Sequence, residues 1–127
     1  MYTLILQTAP IAKGRPRFTR QGRVFTPAKT RNAEAEMRWL LAQWWLPKTP
    51  LLGPLEIEVK FYFLRPRSVS KQKRAHHVVK PDLSNTLKTL EDAGNGLVWH
   101  DDSQIIAATI SKSYDTTQRI ELRIKEI

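Results

Sequence analysis

The chain has 127 residues and a net charge of +9, with a pI of about 10.2. That length suits one domain with a single core, and a hydrophobic fraction of 41% argues against a disordered protein. The absence of cysteine excludes disulfides and thiolate zinc sites. The opening MYTLILQT lacks the features of a signal peptide, and no apolar run approaches bilayer length, so we expect a cytoplasmic protein with no membrane partner. A small domain this basic most often binds a polyanion, usually nucleic acid.

The first part of the chain predicts a strand, a basic hairpin and a helix. Residues 2–8 (YTLILQT) are apolar and β-branched, as is typical of a strand. Two apolar-aromatic pieces then flank Gln21-Gly22, which favours a short hairpin or flap. Thr26-Pro27 supplies an N-cap and a first-turn proline for a helix that continues at apolar spacing to about Trp45.

The second part predicts strands around a second helix. Residues 55–64 alternate apolar and polar side chains, which indicates a half-buried strand. Residues 65–80 form a basic connector without a core pattern, interpreted as a mobile loop or a short helical turn. After Asp82, leucines share one face of a helix that ends near Gly94. Further strands are predicted at 97–99 (LVW), 104–111 and 118–125. We expect the glycine turn after the second helix to bring Asp101-Asp102 back beside the start of that helix.

This order of elements predicts the fold class. It is α/β (α+β), with a mixed sheet of about four strands and two main helices packed on it. We expect residues 1–127 to form a single domain.

The segment from Asp82 to Asp102 is acidic in an otherwise basic chain. It holds five of the twelve carboxylates and a single cation, Lys88, so its net charge is −4 and that of the remaining chain is +13. Each carboxylate taken alone fits an N-cap, an ion pair on a helix or a turn. As a set they would repel one another without a divalent cation, and oxygen-only ligation suits Mg²⁺ or Mn²⁺.

A basic surface around an acidic pocket is the arrangement expected of a metal-dependent nuclease. The cations would hold DNA phosphates, and a metal would activate water and offset charge on the leaving oxygen. Lys88 would neutralise the pentacovalent phosphate or orient the nucleophile. The candidate DNA-binding residues are Arg15, Arg17, Arg20, Arg23, Lys29, Lys71, Lys73, Arg74, His76, His77 and Lys80.

Three motifs between Lys80 and Ile105 resemble the RusA family of Holliday-junction resolvases, which is common in phages and prophages. They are K-P-D-x-x-N-x-x-K, D-A-x-N-G and W-x-D-D-S-Q-I. The resemblance implies a small homodimeric endonuclease, bacterial or phage-encoded, that cuts four-way branched DNA symmetrically with Mg²⁺ or Mn²⁺ in recombination or repair. A homodimer suits this substrate because two paired active sites match a two-fold junction.

The resemblance also implies site residues. The catalytic residues would be Asp82, Lys88, Asp102 and its neighbour Asp101. The supporting residues would be Ser84, Asn85 and Asp92. The expected metal ligands are Asp82, Asp101, Asp102 and Glu91.

Ser84 departs from the family motif D-x-D-N, which has a second aspartate at this position. Serine offers a hydroxyl but no charge, and we expect Glu91 or Asp101 to replace that charge. Glu91 lies about 20° from Ser84 on a wheel of ~100° per residue. Two alternatives stay open: a branched-DNA-binding module that cleaves weakly or not at all, and a structural or RNA-binding protein whose acidic segment is only caps and turns.

Overall fold

The protein is described here by a computed structural model. It describes residues 1–11, 17–18, 24–25, 28–68 and 70–127. Within residues 12–31 only the backbone of the described residues is given, without side chains. The elements are β1 (Tyr2–Leu6), β2 (Arg17–Phe18), β3 (Val24–Phe25), α1 (Ala28–Trp45), β4 (Leu55–Leu64), α2 (Leu83–Gly94), a 3₁₀ helix (Asp102–Gln104), β5 (Ile105–Asp115) and β6 (Arg119–Glu126).

The described strands form a mixed four-stranded sheet in the order β1-β6-β4-β5, together with a separate two-stranded sheet. Strand β4 pairs parallel to β5 and antiparallel to β6, and β1 pairs antiparallel to β6. The predicted α+β fold with a mixed sheet and two main helices is therefore confirmed for the described residues. Antiparallel pairing of β2 with β3 confirms the predicted hairpin, while its turn at Gln21-Gly22 lies outside the described residues.

The core lies between the sheet and the two helices. Alternate residues of β4 are buried, as its pattern predicted, because a strand directs successive side chains to opposite faces. Helix α1 contributes Met37, Leu41 and Trp45, and α2 contributes Leu90 and Ala93. Burial of these apolar side chains, worth about 1.5–3 kcal/mol for each large one, holds α2 against the rest of the fold.

Specific hydrogen bonds define both ends of α2. At its start, Thr86 donates to the Asp82 carbonyl through its backbone N–H (3.0 Å) and its hydroxyl (2.8 Å). At its end, Arg38 of α1 donates to the carbonyls of Ala93 (3.2 Å) and Asn95 (2.7 Å). Arg38 thereby satisfies carbonyls at the helix end that would otherwise lack partners and joins the two helices.

The prediction of a strand at residues 97–99 is wrong. The backbone N–H groups of Leu97 and Val98 turn back to the Gly94 carbonyl (3.0 and 2.9 Å), and Gly96 adopts a positive φ of 73°. Only isolated bridges at Trp99 remain of the expected pairing. The three residues are buried because they fold under the end of α2, and a short apolar run does not distinguish a buried turn from a buried strand.

None of the described helices has the length and hydrophobicity needed to cross a membrane.

Candidate active site

The second half of α2 and the reversal after it bring three charged groups together. The Lys88 Nζ lies 3.1 Å from Asp92 Oδ1, one turn along the helix. It lies 3.2 Å from Asp102 Oδ2, at the start of the 3₁₀ helix. We call Lys88, Asp92 and Asp102 the charged cluster. Lys88 and Asp92 thus form an ion pair within the helix, and Asp102 joins it from fourteen residues away along the chain.

Two neighbours orient Asp102. The Asn95 Nδ2 donates to Asp102 Oδ2 at 3.3 Å, and the Asn95 Oδ1 accepts from the Trp99 indole at 3.0 Å. The same indole N–H lies 3.2 Å from the Glu91 carbonyl, and the Trp99 ring is fully buried. A fixed indole thus fixes the Asn95 amide, which holds the carboxylate of Asp102.

Sequence reasoning did not assign site roles to Asn95 and Trp99. The available signal was their presence in the D-A-x-N-G and W-x-D-D motifs. Their hydrogen-bonding arrangement depends on how the turn at Gly96 folds Trp99 under α2, which was not predicted.

The charge of Lys88 is stabilised by its partners. A hydrogen bond with Asp92, helped by Asp102, raises the pKa of Lys88 above its ordinary value. The side chain remains 48% exposed. A lysine this exposed stays charged and reachable by a substrate, and its ion pairs contribute at most about 1 kcal/mol to stability.

Glu91 lies half-buried near the charged cluster. Burial first, and then the negative charge of Asp102, raises the pKa of Glu91, while Lys88 partly opposes the rise. The carboxylates of Glu91, Asp92 and Asp102 outnumber the one nearby ammonium by two charges when all are ionised. This arrangement is consistent with the sequence prediction that Glu91 adds negative charge to the site.

Asp101 and Asp102 have different environments although they are adjacent. The exposed carboxylate of Asp101 accepts from the Ser103 backbone N–H at 2.9 Å. Hydrogen bonding with the Ser103 side chain first, and then with its backbone, lowers the pKa of Asp101. The Gln104 side chain accepts from the Asp101 backbone at 2.8 Å and completes a capping box. Gln104 also donates to the carbonyls of Leu51 and Gly53 (2.8 and 2.9 Å), which anchors the 3₁₀ helix. The contacts of Asp101 are therefore those of a cap.

Asp82 occupies the N-cap position of α2 but makes no capping hydrogen bond with its side chain. Its Oδ2 lies 3.5 Å from the Asn85 amide, and both Asp82 and Ser84 are exposed. The reversal after α2 was expected to return the aspartate pair beside the start of the helix. It instead brings Asp102 to Lys88 and Asn95, beside the second half of the helix.

The donor chemistry around the charged cluster fits a hard divalent cation. The oxygen atoms of Asp92, Asp102 and the neighbouring Glu91 are of the type that Mg²⁺ or Mn²⁺ prefers. Over the described ranges, however, no three Asp, Glu or His side chains form a group positioned to hold a metal. The residues that could contribute ligands are Asp102, Glu91 and Asp82.

The basic connector of residues 65–80 is held against the sheet by aromatic contacts. The Arg65 guanidinium lies 4.3 Å from the centre of the Tyr114 ring and donates to the carbonyls of Arg74 and Ala75. Arg74 donates to the Tyr114 hydroxyl at 3.1 Å. His77 stacks on Phe63 with a centroid distance of 3.9 Å.

The predicted DNA-binding residues differ in accessibility. His77 is only 6% exposed, which places it in packing rather than on a phosphate-binding surface. The exposed members are Lys71, Lys73, His76 and Lys80, and Arg74 is half-buried. Arg15, Arg20 and Arg23, with the side chains of Arg17 and Lys29, lie outside the described residues.

Comparisons with known proteins agree with these features. A family model described as "Endodeoxyribonuclease RusA" matches residues 7–125. A relative from Bacillus subtilis (strain 168), named "Uncharacterized protein YqaN", is 35% identical over 130 residues, covering 93% of this chain and 91% of its own length.

Proposed function

Because the chain belongs to the RusA family of endodeoxyribonucleases, we propose that it resolves four-way DNA junctions by paired, symmetrical phosphodiester cleavage with Mg²⁺ or Mn²⁺. The observation that carries this proposal is the charged cluster, in which Lys88 contacts Asp92 and Asp102 while Asn95 orients Asp102. The alternative reading of the acidic segment as only caps and turns accounts for Asp101. It leaves the contacts of Asp102 unexplained.

Each catalytic residue has a role consistent with its surroundings. Lys88 remains charged and accessible, so it would contact a scissile phosphate and stabilise the negative charge that develops there. Asp82 is exposed at the helix start and does not cap it, which leaves its carboxylate available for the reaction. Asp102 is held by Asn95 and Lys88. Asp82, Asp102 and Glu91 do not form a ligand group among the described residues, so they would have to approach one another in the DNA complex to hold a divalent cation. That cation would supply an activated water and offset charge on the leaving oxygen.

The basic connector supports DNA as the substrate. Its exposed basic residues, Lys71, Lys73, His76 and Lys80, lie shortly before Asp82 in the chain. Phosphates bound there would be delivered to the start of α2, and such contacts release condensed counterions on binding. Arg15, Arg17, Arg20, Arg23 and Lys29, whose side chains lie outside the described residues, would add further phosphate contacts.

Further parts of the proposal follow from the substrate and the family. Residues 1–127 would act as one endonuclease domain, and two copies would pair because a four-way junction presents two related cleavage positions. The protein would act in the cytoplasm of a bacterium, in recombination or repair, and a prophage origin fits the family.

Asp82→Asn tests the proposed function. We expect the variant to lose cleavage of a synthetic four-way junction in Mg²⁺ or Mn²⁺ while keeping or tightening junction binding, because a negative charge near phosphate is removed. Asp101→Asn is the matched control, since Asp101 has the contacts of a cap, and should retain most cleavage. Undiminished cleavage by Asp82→Asn would reject the assigned site.

Glu91→Gln tests whether Glu91 replaces the charge missing at Ser84. The substitution keeps the shape of a half-buried side chain beside Asp102 and removes its charge. We expect slower cleavage and a higher metal concentration at half-maximal activity. Wild-type rates across the metal titration would exclude this compensation.

Ser84 favours one alternative function, a branched-DNA-binding module with weak or no cleavage. Ser84 is exposed on the first turn of α2, where it contributes no negative charge near Asp82. The wild-type protein distinguishes the two functions directly. Junction binding without nicking at any Mn²⁺ concentration would favour the module.

A further inference from the structure

Lys112 on β5 contacts the end of the basic connector. Its Nζ donates to the carbonyl of Val79 at 2.8 Å and to the carbonyl of Pro81 at 3.0 Å. Both acceptors lie more than thirty residues earlier in the chain. Pro81 immediately precedes Asp82, so this ammonium holds the backbone at the entrance to α2.

The connector depends on such contacts because it has little backbone structure of its own. Between β4 and α2 the described residues form turns, and the backbone hydrogen bonds within the connector go to the Ser70 carbonyl. Side chains hold residues 75–81 instead. Arg65 donates to the Ala75 carbonyl, the His77 ring stacks on Phe63, and Lys112 donates to the Val79 carbonyl. Of these, Lys112 acts nearest to Asp82.

The backbone of Lys112 is held in a paired strand. In the parallel β4–β5 pair its partner is Phe61, which is fully buried in the core. Because the lysine backbone belongs to the sheet and its ammonium binds two carbonyls, the side chain holds those carbonyls at a set distance from the sheet. The described ion pairs do not include Lys112, so within that part of the structure these carbonyls are its polar partners.

We infer that Lys112 is a positioning residue for Asp82: its ammonium fixes the Val79 and Pro81 carbonyls and so sets where the Asp82 carboxylate stands relative to Lys88 and Asp102. This inference rests on the proposed role of Asp82 in cleavage. The charged cluster is fixed locally by α2 and by the turn after it. Asp82 lies at the junction of α2 with the connector and needs a separate anchor.

Lys112→Met tests the inference by two independent measurements. The first is steady-state cleavage of a four-way junction, where kcat should fall about 10- to 100-fold while KM stays within about twofold, because misplacing a catalytic group by ~1 Å can cost 10²-fold. The second is the backbone NMR order parameter, which should fall over residues 75–80 and at 82 while β1, β4 and β6 keep their values.

Lys60→Met is the matched control. Lys60 is exposed on the neighbouring strand β4, so the substitution makes the same change in charge and side-chain type without touching the connector. We expect it to leave kcat and the order parameters of residues 75–80 and 82 unchanged. An equal loss of kcat in both variants would attribute the effect to net charge and overturn the inference.

The order-parameter measurement separates this inference from the proposed function. If the wild-type protein does not cleave junctions, the proposed function fails, and lower order parameters at residues 75–80 and 82 in Lys112→Met still support the inference about Lys112. Unchanged order parameters at those residues overturn the inference, whatever the cleavage rate. Lower order parameters throughout the sheet would also overturn it, because Lys112 would then stabilise the whole fold.

Discussion

Gly94→Ala would press a methyl group into the ring of Trp99 under the candidate active site. A Cβ at Gly94 would lie 2.5 Å from Trp99 Cζ2 and 2.8 Å from Trp99 Cε2. Carbon atoms normally pack at about 3.5–4.0 Å, so the ring or the helix end must move by about 1 Å. The ring is fully buried and its indole N–H is hydrogen-bonded, so it has little room to yield.

The expected cost follows from two opposing effects. Overpacking of this kind typically costs about 1–3 kcal/mol. Replacing glycine with alanine in a helix gains up to about 1 kcal/mol, and less at the last residue of a helix such as Gly94. We therefore expect the free energy of unfolding to fall by about 1–2 kcal/mol, which corresponds to a melting temperature lower by roughly 3–10 °C for a domain of this size.

The same movement should reach the charged cluster. A displaced Trp99 indole would weaken its bond to Asn95, and Asn95 orients Asp102. Denaturant unfolding followed by tryptophan fluorescence measures the stability, and junction cleavage measures the site. Gly53→Ala is the control, because a Cβ at Gly53 meets no atom within 4 Å and should change stability by less than about 0.5 kcal/mol. A Gly94→Ala variant as stable as the wild type would refute the reasoning.

Two further substitutions test the role of Lys88 in cleavage and the effect of His77 on the pH dependence of stability. Lys88→Met should abolish cleavage yet lower stability by no more than about 1 kcal/mol, because its ion pairs are half exposed; cleavage at the wild-type rate would contradict its role. Burial, with Lys112 and Arg74 nearby, lowers the pKa of His77 below its ordinary 6.5. The unfolded chain therefore binds this proton more readily, and stability should fall as the pH drops below 6.5. His77→Phe should flatten that fall in melts at successive pH values, and equal slopes would argue against it.

Much of the fold could be predicted from the sequence because strand and helix periodicity are local properties. The alternation in residues 55–64 predicted β4 at its observed bounds, since each residue of a half-buried strand faces either core or solvent. The leucine spacing after Asp82 predicted α2 through Gly94 for the same kind of reason. The crowding of carboxylates in a basic chain also indicated the candidate site, because charge imbalance is visible without coordinates.

Contacts between distant segments were decided only by the tertiary structure. The reversal at Gly96 buries Trp99 beneath α2 and brings Asp102 to Lys88 and Asn95 rather than to the start of the helix. It also separates the role of Asp101, a cap, from that of its neighbour.

The connector gives the second example. Its sequence shows a run of basic residues. Local periodicity carries no information about which strand lies beside the connector, so its contacts could not be predicted. The sheet order β1-β6-β4-β5 places β5 next to β4, and this brings Lys112 within reach of the Val79 and Pro81 carbonyls. Packing against Phe63 likewise buries the His77 ring, which the sequence predicted to lie on the DNA-binding surface. The sequence thus determined the elements and their charges, while the pairing of strands determined which of those charges meet.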